Sequence, residues 1–279
     1  MKKFLFVCTG NTCRSPMAEA IAKRLLRKAE IISRGISVPF SDSANPNSIE
    51  VLSEKGMDIT NHISTPLSEE DIRSSDKIFV MTENHKVFLE KVLNSLSVNK
   101  EIVSLDVSDP YGGDIEVYRN CYEELKEKII SALFGITFEE MDESHINRVL
   151  PIEEENFSLP WSREGFSEFL NDKNSVGLVL LKEEKVAGYI TGSSVEGDSE
   201  IYNIAVSADE RRQGLGGLLL FLFEEKIGKN GSVVLEVRES NNPAISLYEA
   251  FGYRLVGKRK SFYQNPREDA LIYKKDLGE

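Results

Sequence analysis

Short apolar runs alternate with amphipathic stretches through the first half of the chain. The apolar runs lie at residues 4–7, 31–32, 77–81 and 102–103, and the amphipathic stretches lie at 18–26, 49–52, 84–96 and 116–133. Apolar runs bounded by helical patterns are typical of buried strands joined by crossover helices. The pattern predicts an α/β domain with a four-stranded parallel sheet flanked by helices.

The pattern changes after residue 135. An acidic stretch at 138–143 leads into a helical pattern, and two apolar runs at 176–181 and 186–190 flank a polar turn, which predicts a β-hairpin. Further strands are predicted at 200–206 and 233–237, with helices from about 214 and at 243–251. These elements predict a mixed α/β domain. We therefore expect two domains, 1–135 and 136–279, with a very short linker between them.

Length and charge agree with this division. A chain of 279 residues favours two hydrophobic cores, although one large α/β domain is the alternative. Hydrophobic residues make up 41% and charged residues 29%, which argues against extended disorder. The net charge of −12 disfavours a nucleic acid as the main partner, because binding to phosphates requires a basic face.

No membrane span or disulfide framework is expected. The apolar start ends at Cys8, too early for a signal peptide, and the longest apolar run, Leu215 to Phe223, is short and contains two glycines. With three cysteines, a reducing compartment is the default expectation. These observations predict a cytoplasmic protein without a membrane partner.

The segment after the first strand carries the first candidate site. Cys8 and Arg14 are separated by five residues, and Pro16 opens the following helix. A loop of this length can point successive backbone N–H groups at an anion, beside the positive end of the helix. Arg14 can hold two phosphate oxygens, and the same surroundings favour the thiolate form of Cys8 as nucleophile. The residues predicted to surround the phosphoryl group are Thr9, Gly10, Asn11, Thr12, Cys13 and Ser15.

Within this loop, Ser15 is predicted to donate a hydrogen bond to the sulfur, and Asn11 tolerates a left-handed backbone. An acid is also required for a poor leaving group, and Asp109, followed by Pro110, comes after the last predicted strand of the first sheet. We predict that Asp109 protonates the leaving group and later activates water. The alternative is that Cys8 is a small buried residue and Asp109 belongs to an ordinary turn.

The segment from Val7 to Ala20, with Asp109 to Gly113 downstream, resembles the low-molecular-weight protein-tyrosine-phosphatase family over residues 1–134. Thr12 stands where tyrosine-directed members have an aliphatic residue, as in the bacterial protein-arginine phosphatases. This resemblance implies a protein substrate phosphorylated on arginine.

The resemblance also implies a reversible disulfide between Cys8 and Cys13; a packing role for Cys13 is the alternative. An arsenate reductase is a weaker interpretation, because Cys121 is the single cysteine left to resolve such a reaction, and a structural role suits it better.

A glycine-rich turn carries the second candidate site. It follows an apolar strand and opens the apolar helix at 218–223. Glycines allow a pyrophosphate to approach the backbone, and a helix start presents free N–H groups. The residues predicted to bind this cofactor are Ile204, Ala205, Val206, Arg211, Arg212, Gln213, Gly214, Leu215, Gly216, Gly217 and Asn241.

The stretch Arg211 to Gly216 resembles the pyrophosphate motif of the GNAT acetyltransferase superfamily, which implies acetyl-CoA as co-substrate. More segments resemble the ribosomal-protein-alanine N-acetyltransferases: 203–206, 212–216, 235–238, 244–249, 160–162 and 267–270. This resemblance implies that the acceptor is a protein N-terminal α-amine, including that of a ribosomal protein. It places Glu236 as the base and Tyr248 as the acid; a solvent-facing strand residue and a core aromatic are the alternatives.

We therefore expect a bifunctional enzyme in which Cys8, Arg14 and Asp109 dephosphorylate a protein and Glu236 and Tyr248 serve acetyl transfer. No metal is expected, because His62, His85 and His145 lie outside any ligand pattern. The alternatives are a phosphotyrosine phosphatase with a non-catalytic acetyl-CoA-sensing or docking domain, and one fused to a small-molecule acetyltransferase.

Overall fold

A computed structural model of the chain describes residues 1–278. The chain divides into two compact units, Met1–Gly135 and Ile136–Glu279. Each unit has its own sheet, of four strands in the first and seven in the second.

The first unit alternates strands and helices. Its elements are β1 Lys3–Cys8, α1 Arg14–Leu25, β2 Glu30–Gly35, α2 Pro46–Glu54, α3 Glu69–Ser74, β3 Lys77–Val80, α4 Glu83–Leu96, β4 Glu101–Ser104 and α5 Ile115–Phe134. The sheet has the order β2-β1-β3-β4, and all its pairs are parallel. The predicted four-stranded parallel sheet flanked by helices is confirmed.

Burial on both faces explains why β1 is a central strand. Leu5, Phe6 and Val7 are all fully buried. Leu5 and Val7 belong to an apolar cluster that includes residues of β3 and α4, whereas Phe6 stacks on Phe79 with ring centroids 4.9 Å apart. A continuous apolar run is required for a strand covered by helices on both faces. Cys8 is the last residue of this central strand and therefore lies at the carboxyl edge of the sheet.

The second unit is built around a mixed sheet. Its elements are β5 Thr137–Glu140, α6 Ile146–Asn156, α7 Arg163–Asn171, β6 Ser175–Lys182, β7 Lys185–Val195, β8 Asp198–Val206, α8 Leu215–Ile227, β9 Gly231–Arg238, α9 Asn242–Ala250, β10 Arg254–Gln264 and β11 Arg267–Leu277. The order is β10-β11-β9-β8-β7-β6-β5, and the β8–β9 pair is parallel whereas its other pairs are antiparallel. The predicted mixed α/β fold and the β6–β7 hairpin are confirmed.

The structure contains elements that the hydrophobic pattern did not predict, including α3, β5, β10 and β11. β5 is a four-residue edge strand with three exposed residues, and β10 is an edge strand with mostly exposed residues. An edge strand with little burial carries little of the apolar alternation that identifies strands. α3 is short, and its signal is a capping box between Ser68 and Asp71.

Among residues 1–278, no helix has the length and apolarity that crossing a bilayer requires.

Candidate active sites

The first site is the loop between β1 and α1. The Cys8 sulfur lies 3.0 Å from the Ser15 hydroxyl oxygen, and the backbone N–H of Asn11 donates to it at 3.2 Å. Arg14 is the first residue of α1, so the loop ends where the free N–H groups of a helix begin. The sulfur therefore lies among hydrogen-bond donors at the positive end of a helix dipole.

Asn11 holds this loop in shape. It is fully buried and has φ of 56°, in the left-handed region that asparagine tolerates. Its amide nitrogen donates to the hydroxyls of Ser15 and Ser33, both at 2.9 Å, and its amide oxygen accepts from the Thr65 N–H at 2.9 Å. One side chain thus fixes the loop to α1, to β2 and to the segment before α3.

Arg14 connects the loop to the segment that follows β4. One terminal nitrogen donates to the carbonyl of Val107 at 3.1 Å, and the other lies 2.6 Å from a carboxylate oxygen of Asp109. The guanidinium is buried, whereas the Asp109 side chain is 54% exposed. The structure thus brings Cys8, Arg14 and Asp109 together at one edge of the sheet, although about 95 residues of sequence separate the last two.

Two histidines that the sequence pattern left without a role also contact this loop. His85 is buried, and its ring nitrogens lie 2.9 Å from the hydroxyls of Thr9 and Thr82. Burial and the nearby Arg14 lower the pKa of His85, whereas Asp109 opposes them. His62 lies 2.8 Å from the carbonyl oxygen of Asn11. Both rings support the loop, and the long sequence separation explains why no local motif revealed them.

The three cysteines have different surroundings and are all free thiols. The Cys13 sulfur lies 3.4 Å from the Tyr118 hydroxyl and 3.6 Å from the hydroxyl of the half-buried Thr12. Burial raises the pKa of the Cys121 thiol to about 12, which disfavours its reactive form. The disulfide between Cys8 and Cys13 stays a prediction.

The second site lies where β8 and β9 separate. Their parallel pairing ends at Ile201 with Leu235. Beyond this point, residues 203–206 pair with β7 and residues 236–238 pair with β11. The facing edges of the two strands are therefore unpaired with each other. Such edges offer backbone donors and acceptors to an extended ligand that carries amide groups, as the pantetheine arm of acetyl-CoA does.

The glycine-rich turn connects the end of β8 to α8. Arg212 and Gly214 have φ of 65° and 89°, and Gly214 is the residue immediately before α8. This left-handed geometry lets the chain turn from the end of β8 into α8. A Cβ at Gly216 or Gly217 would lie about 3 Å from side chains of Leu247 and Phe251, so these two glycines allow close packing of α8 with α9.

Three predicted cofactor residues make side-chain hydrogen bonds within the protein: Arg211, Asn241, and Gln213, whose amide donates to Glu210 at 2.9 Å. The Arg211 guanidinium donates to the Val206 carbonyl at 3.3 Å and to the Asn156 side chain at 3.2 Å. The Asn241 side chain accepts from the N–H of Ala244 at 3.3 Å and so caps α9. Arg212 and Gln213 are exposed in the turn. Ile204 and Val206 are half-buried and Ala205 is buried on β8, and Leu215 is buried at the start of α8.

Glu236 and Tyr248 occupy different surroundings in this site. Glu236 is half-buried on β9, with a carboxylate oxygen 2.9 Å from the Arg259 guanidinium. Burial raises the pKa of Glu236; the charge of Arg259 opposes this rise, and the charge of Glu200 adds to it. Tyr248 is buried on α9, and burial followed by the charge of Tyr263 raises the pKa of its phenol. A buried phenol of raised pKa stays protonated at neutral pH and can donate a proton.

Glu153 of α6 has no predicted role, yet it is fully buried. One carboxyl oxygen accepts from the backbone N–H of Trp161 at 2.9 Å and from the Asn203 amide at 3.0 Å, and the other accepts from the Tyr189 hydroxyl. Burial raises the pKa of Glu153 to about 7, against the opposing effect of the Trp161 N–H. The available sequence signal was a single glutamate on the apolar side of a helical pattern.

Comparison with known proteins identifies the first unit. Residues 3–145 match the profile of the low molecular weight phosphotyrosine protein phosphatases. The chain is 38% identical over 134 residues to a protein-arginine-phosphatase of Bacillus subtilis, an alignment that covers 44% of this chain and 89% of that protein. The chain belongs to the low molecular weight phosphotyrosine protein phosphatase family.

A second relative of this phosphatase is named for activity on phosphotyrosine and not on phosphoarginine. A low molecular weight protein-tyrosine-phosphatase of Staphylococcus haemolyticus is 38% identical over 131 residues, covering 44% of this chain and 91% of that protein. Because both relatives have the same identity, overall similarity does not distinguish arginine from tyrosine as the phosphorylated residue.

The phosphatase domain is followed by an acetyltransferase domain. Residues 146–253 match the profile of the acetyltransferase (GNAT) family. A crystal structure of the ribosomal-protein-S18-alanine N-acetyltransferase from Escherichia coli aligns with a TM-score of 0.47 and 29% identity, covering 52% of this chain and 95% of that one. The two profile matches show that a low molecular weight phosphatase domain precedes a GNAT acetyltransferase domain in this chain.

Within residues 1–278, no group of three or more His, Cys, Asp or Glu side chains is arranged to hold a metal ion. The residues described above fit acetyl-CoA as a co-substrate, because the separated strand edges and the start of α8 lie next to each other in the chain.

Proposed function

We propose that the first domain hydrolyses phosphoarginine in proteins and that the second acetylates protein N-terminal α-amines from acetyl-CoA. The observation that carries the first part is the convergence of Cys8, Arg14 and Asp109 at one loop, with Thr12 in that loop. The second part rests on the separated strands with Glu236 on one of them and Tyr248 on the adjacent helix.

In the first reaction, the Cys8 sulfur attacks phosphorus while Asp109 gives a proton to the leaving nitrogen, so that the P–N bond breaks. The Ser15 hydroxyl and the Asn11 N–H stabilise the sulfur as leaving group in the second step. Water then attacks the phosphocysteine, Asp109 takes a proton from it, and the S–P bond breaks. Arg14 and the loop N–H groups hold the phosphoryl oxygens throughout.

Thr12 and Asp109 favour an arginine substrate for a physical reason. Once Asp109 has given its proton, its carboxylate binds the departing guanidinium, which carries N–H donors and positive charge, more strongly than it would bind a neutral phenol. The Asp109 carboxylate is largely exposed, so a substrate can reach it. Thr12 offers a hydroxyl oxygen where an aliphatic side chain would pack against an aromatic ring.

The test compares phosphoarginine and phosphotyrosine peptides of the same sequence. We expect a higher kcat/KM for phosphoarginine, and we expect Thr12→Ile to reduce the preference about fivefold or more, the value of one lost hydrogen bond. Thr60→Ile is the matched control, because Thr60 is exposed and contacts Asp58 rather than the loop. A wild-type preference for phosphotyrosine would refute the arginine assignment and leave the phosphatase assignment intact.

In the second reaction, the acceptor amine must lose a proton and the departing thiolate must gain one. Glu236 accepts the proton from the amine, and Tyr248 donates its phenolic proton to the sulfur. Partial burial keeps Glu236 more basic than an exposed carboxylate, and deep burial keeps Tyr248 protonated. Burial thus favours the base role of Glu236 and the acid role of Tyr248 through the same effect, a raised pKa.

The acceptor class rests on the resemblance to the ribosomal-protein-alanine N-acetyltransferases in segments such as 160–162 and 267–270. The test measures acetyl transfer to peptides that begin with alanine, including the N-terminus of a ribosomal protein, beside small amines. We expect Tyr248→Phe to lose most turnover and Tyr273→Phe to keep it, because the Tyr273 hydroxyl is bound to Glu249. Binding of acetyl-CoA without turnover of any amine would instead indicate a sensing or docking domain.

A further inference from the structure

The loop between α6 and α7, residues 157–162, is fastened to the acetyltransferase core at two points. Near its end, the backbone N–H of Trp161 donates to Glu153 at 2.9 Å. Near its start, the Ser158 hydroxyl accepts from the Arg238 guanidinium at 2.8 Å. Between the two points, Leu159 is 68% exposed. The loop is thus held by one anionic and one cationic side chain and presents an apolar residue between them.

Both contacts connect the loop to the parts of β8 and β9 that do not pair with each other. The Glu153 oxygen that accepts from Trp161 also accepts from Asn203, two residues beyond the last β8–β9 pair. Arg238 is the last residue of β9, two residues after Glu236. The loop is therefore attached to β8 through one contact and to β9 through the other, on the parts of the strands that no longer pair with each other.

Glu153 is the unusual member of this arrangement, because it is a fully buried carboxyl whose partners Tyr189 and Trp161 belong to or pack against an apolar cluster. Three donors from three separate segments converge on it: the Trp161 N–H, the Asn203 amide and the Tyr189 hydroxyl. Burying a carboxyl is costly unless its oxygens are hydrogen-bonded, and an apolar residue would fill the core without that cost. A carboxyl can join donors from a loop and two strands at one point, which an apolar side chain cannot do.

We propose that Glu153 is a positioning residue of the acetyltransferase, which holds the loop 157–162 against β8 where the strands separate and so sets how the acceptor amine approaches Glu236. This inference rests on the proposed acetyl transfer. It concerns the acceptor rather than acetyl-CoA, because Glu153 holds the loop and has no contact with the glycine-rich turn among the hydrogen bonds of the described residues.

The geometry implies a dependence on pH. Tyr189 of β7 is the titratable group in contact with Glu153, whereas Asn203 of β8 and the Trp161 N–H carry no charge. Ionised Glu153 accepts from all three donors, but protonated Glu153 must donate from one oxygen, and the Tyr189 hydroxyl must then turn to accept. Because burial raises the pKa of Glu153 to about 7, this exchange takes place near neutral pH.

Trp161 provides a readout that does not depend on activity. It is the single tryptophan of the chain, and its backbone N–H donates a hydrogen bond to Glu153. In the full-length protein, we expect Trp161 fluorescence to change between pH 6 and 8 with a midpoint near the pKa of Glu153, about 7. Glu153→Gln should abolish this transition, and Glu154→Gln, which alters the exposed neighbour, should keep it. A transition that persists in Glu153→Gln would overturn the proposal.

Acetyl-transfer kinetics test the positioning role. Glu153→Ala should raise the KM for an alanine-starting peptide about tenfold or more, the effect of losing hydrogen bonds to a charged group, while the Kd of acetyl-CoA changes little. Glu153→Gln, which keeps the shape and most of the bonds, should restore the KM at pH 7.

Two outcomes separate this proposal from the function on which it rests. Wild-type turnover with an unchanged acceptor KM in Glu153→Ala would overturn the positioning role alone, as would an equal loss of acetyl-CoA binding. Absence of acetyl transfer to every peptide in the wild type would overturn the proposed function and the positioning role together.

Discussion

Replacement of Asn11 is the sharpest test of how the phosphatase loop is held. Its side chain is fully buried and makes hydrogen bonds to Ser15, Ser33 and the Thr65 N–H, and its backbone has φ of 56°. Asn11→Gly removes the side-chain bonds and leaves the backbone unstrained. Asn11→Ala removes the same bonds and also places an ordinary residue in the left-handed region.

The magnitudes follow from these contacts. Three lost hydrogen bonds of about 1 kcal/mol each lower the free energy of unfolding of the first domain by about 3 kcal/mol in Asn11→Gly. Asn11→Ala should cost about 1 kcal/mol more, because alanine at a positive φ is strained where glycine is not. Phosphatase kcat/KM should fall in both variants, since the Asn11 N–H and Ser15 would no longer be held at the sulfur.

The full-length chain allows the two domains to be followed separately. Cys121 lies in Met1–Gly135 and is buried with a raised pKa, so its labelling by a thiol reagent in increasing urea reports unfolding of the first domain. Trp161 lies in the second domain, and its fluorescence midpoint should not move. The exposed Asn99 provides the control variant Asn99→Ala.

The comparison of the two variants decides the matter. If Asn11→Ala and Asn11→Gly have equal stability, the left-handed backbone is not a source of strain in the alanine variant. If both remain within about 0.5 kcal/mol of the wild type, the range of ordinary surface substitutions, the buried amide does not hold the loop.

Two further predictions concern titratable groups. Asp109→Asn should lower kcat/KM on phosphoarginine peptides about 10²- to 10⁴-fold, as expected for loss of a general acid, and should lower it much less for p-nitrophenyl phosphate, whose leaving group needs no proton. The measurement is kcat/KM because it leaves out hydrolysis of the phosphocysteine, in which Asp109 acts alike for both substrates. Asp106→Asn is the control, and an equal loss of kcat/KM on both substrates would contradict the acid role. Burial raises the pKa of Glu153 from 4.5 to about 7, so folding favours the protonated form of this carboxyl. The contribution of Glu153 to the free energy of unfolding is therefore complete below pH 4.5 and is lost as the pH rises through 7. Between pH 5.5 and 8 the acetyltransferase domain should lose about 2 kcal/mol through this group relative to Glu153→Gln, as measured by Trp161 fluorescence in urea, and a pH-independent difference would contradict this.

Local sequence was sufficient for the first sheet, for the central strands of the second sheet and for the order of most elements. The continuous apolar run at Leu5 to Val7 is required in a strand buried on both faces, and it predicted β1 directly. The turn at Glu183 and Glu184, both with positive φ, lies between two apolar runs and predicted the β6–β7 hairpin. The edge strands β5 and β10 were not predicted, because most of their residues are exposed and their sequences therefore show almost no alternation of apolar and polar residues.

The spacing of Cys8 and Arg14, and the turn before α8, could be recognised because each motif is contiguous and depends on local backbone geometry. Contacts between distant segments could not be recognised in this way. His85 lies 76 residues from Thr9, and Glu153 lies 50 residues from Asn203. Each of these residues looks ordinary in its own segment.

The sequence by itself therefore determined which chemical groups each domain carries and which elements present them. The tertiary structure decided which distant side chains hold those groups in place: Asn11 and the two histidines around the phosphatase loop, and Glu153 beneath the loop of the acetyltransferase. The physical reason is that hydrogen bonding in a core depends on burial and on distances across the fold, and neither follows from the spacing of residues along the chain.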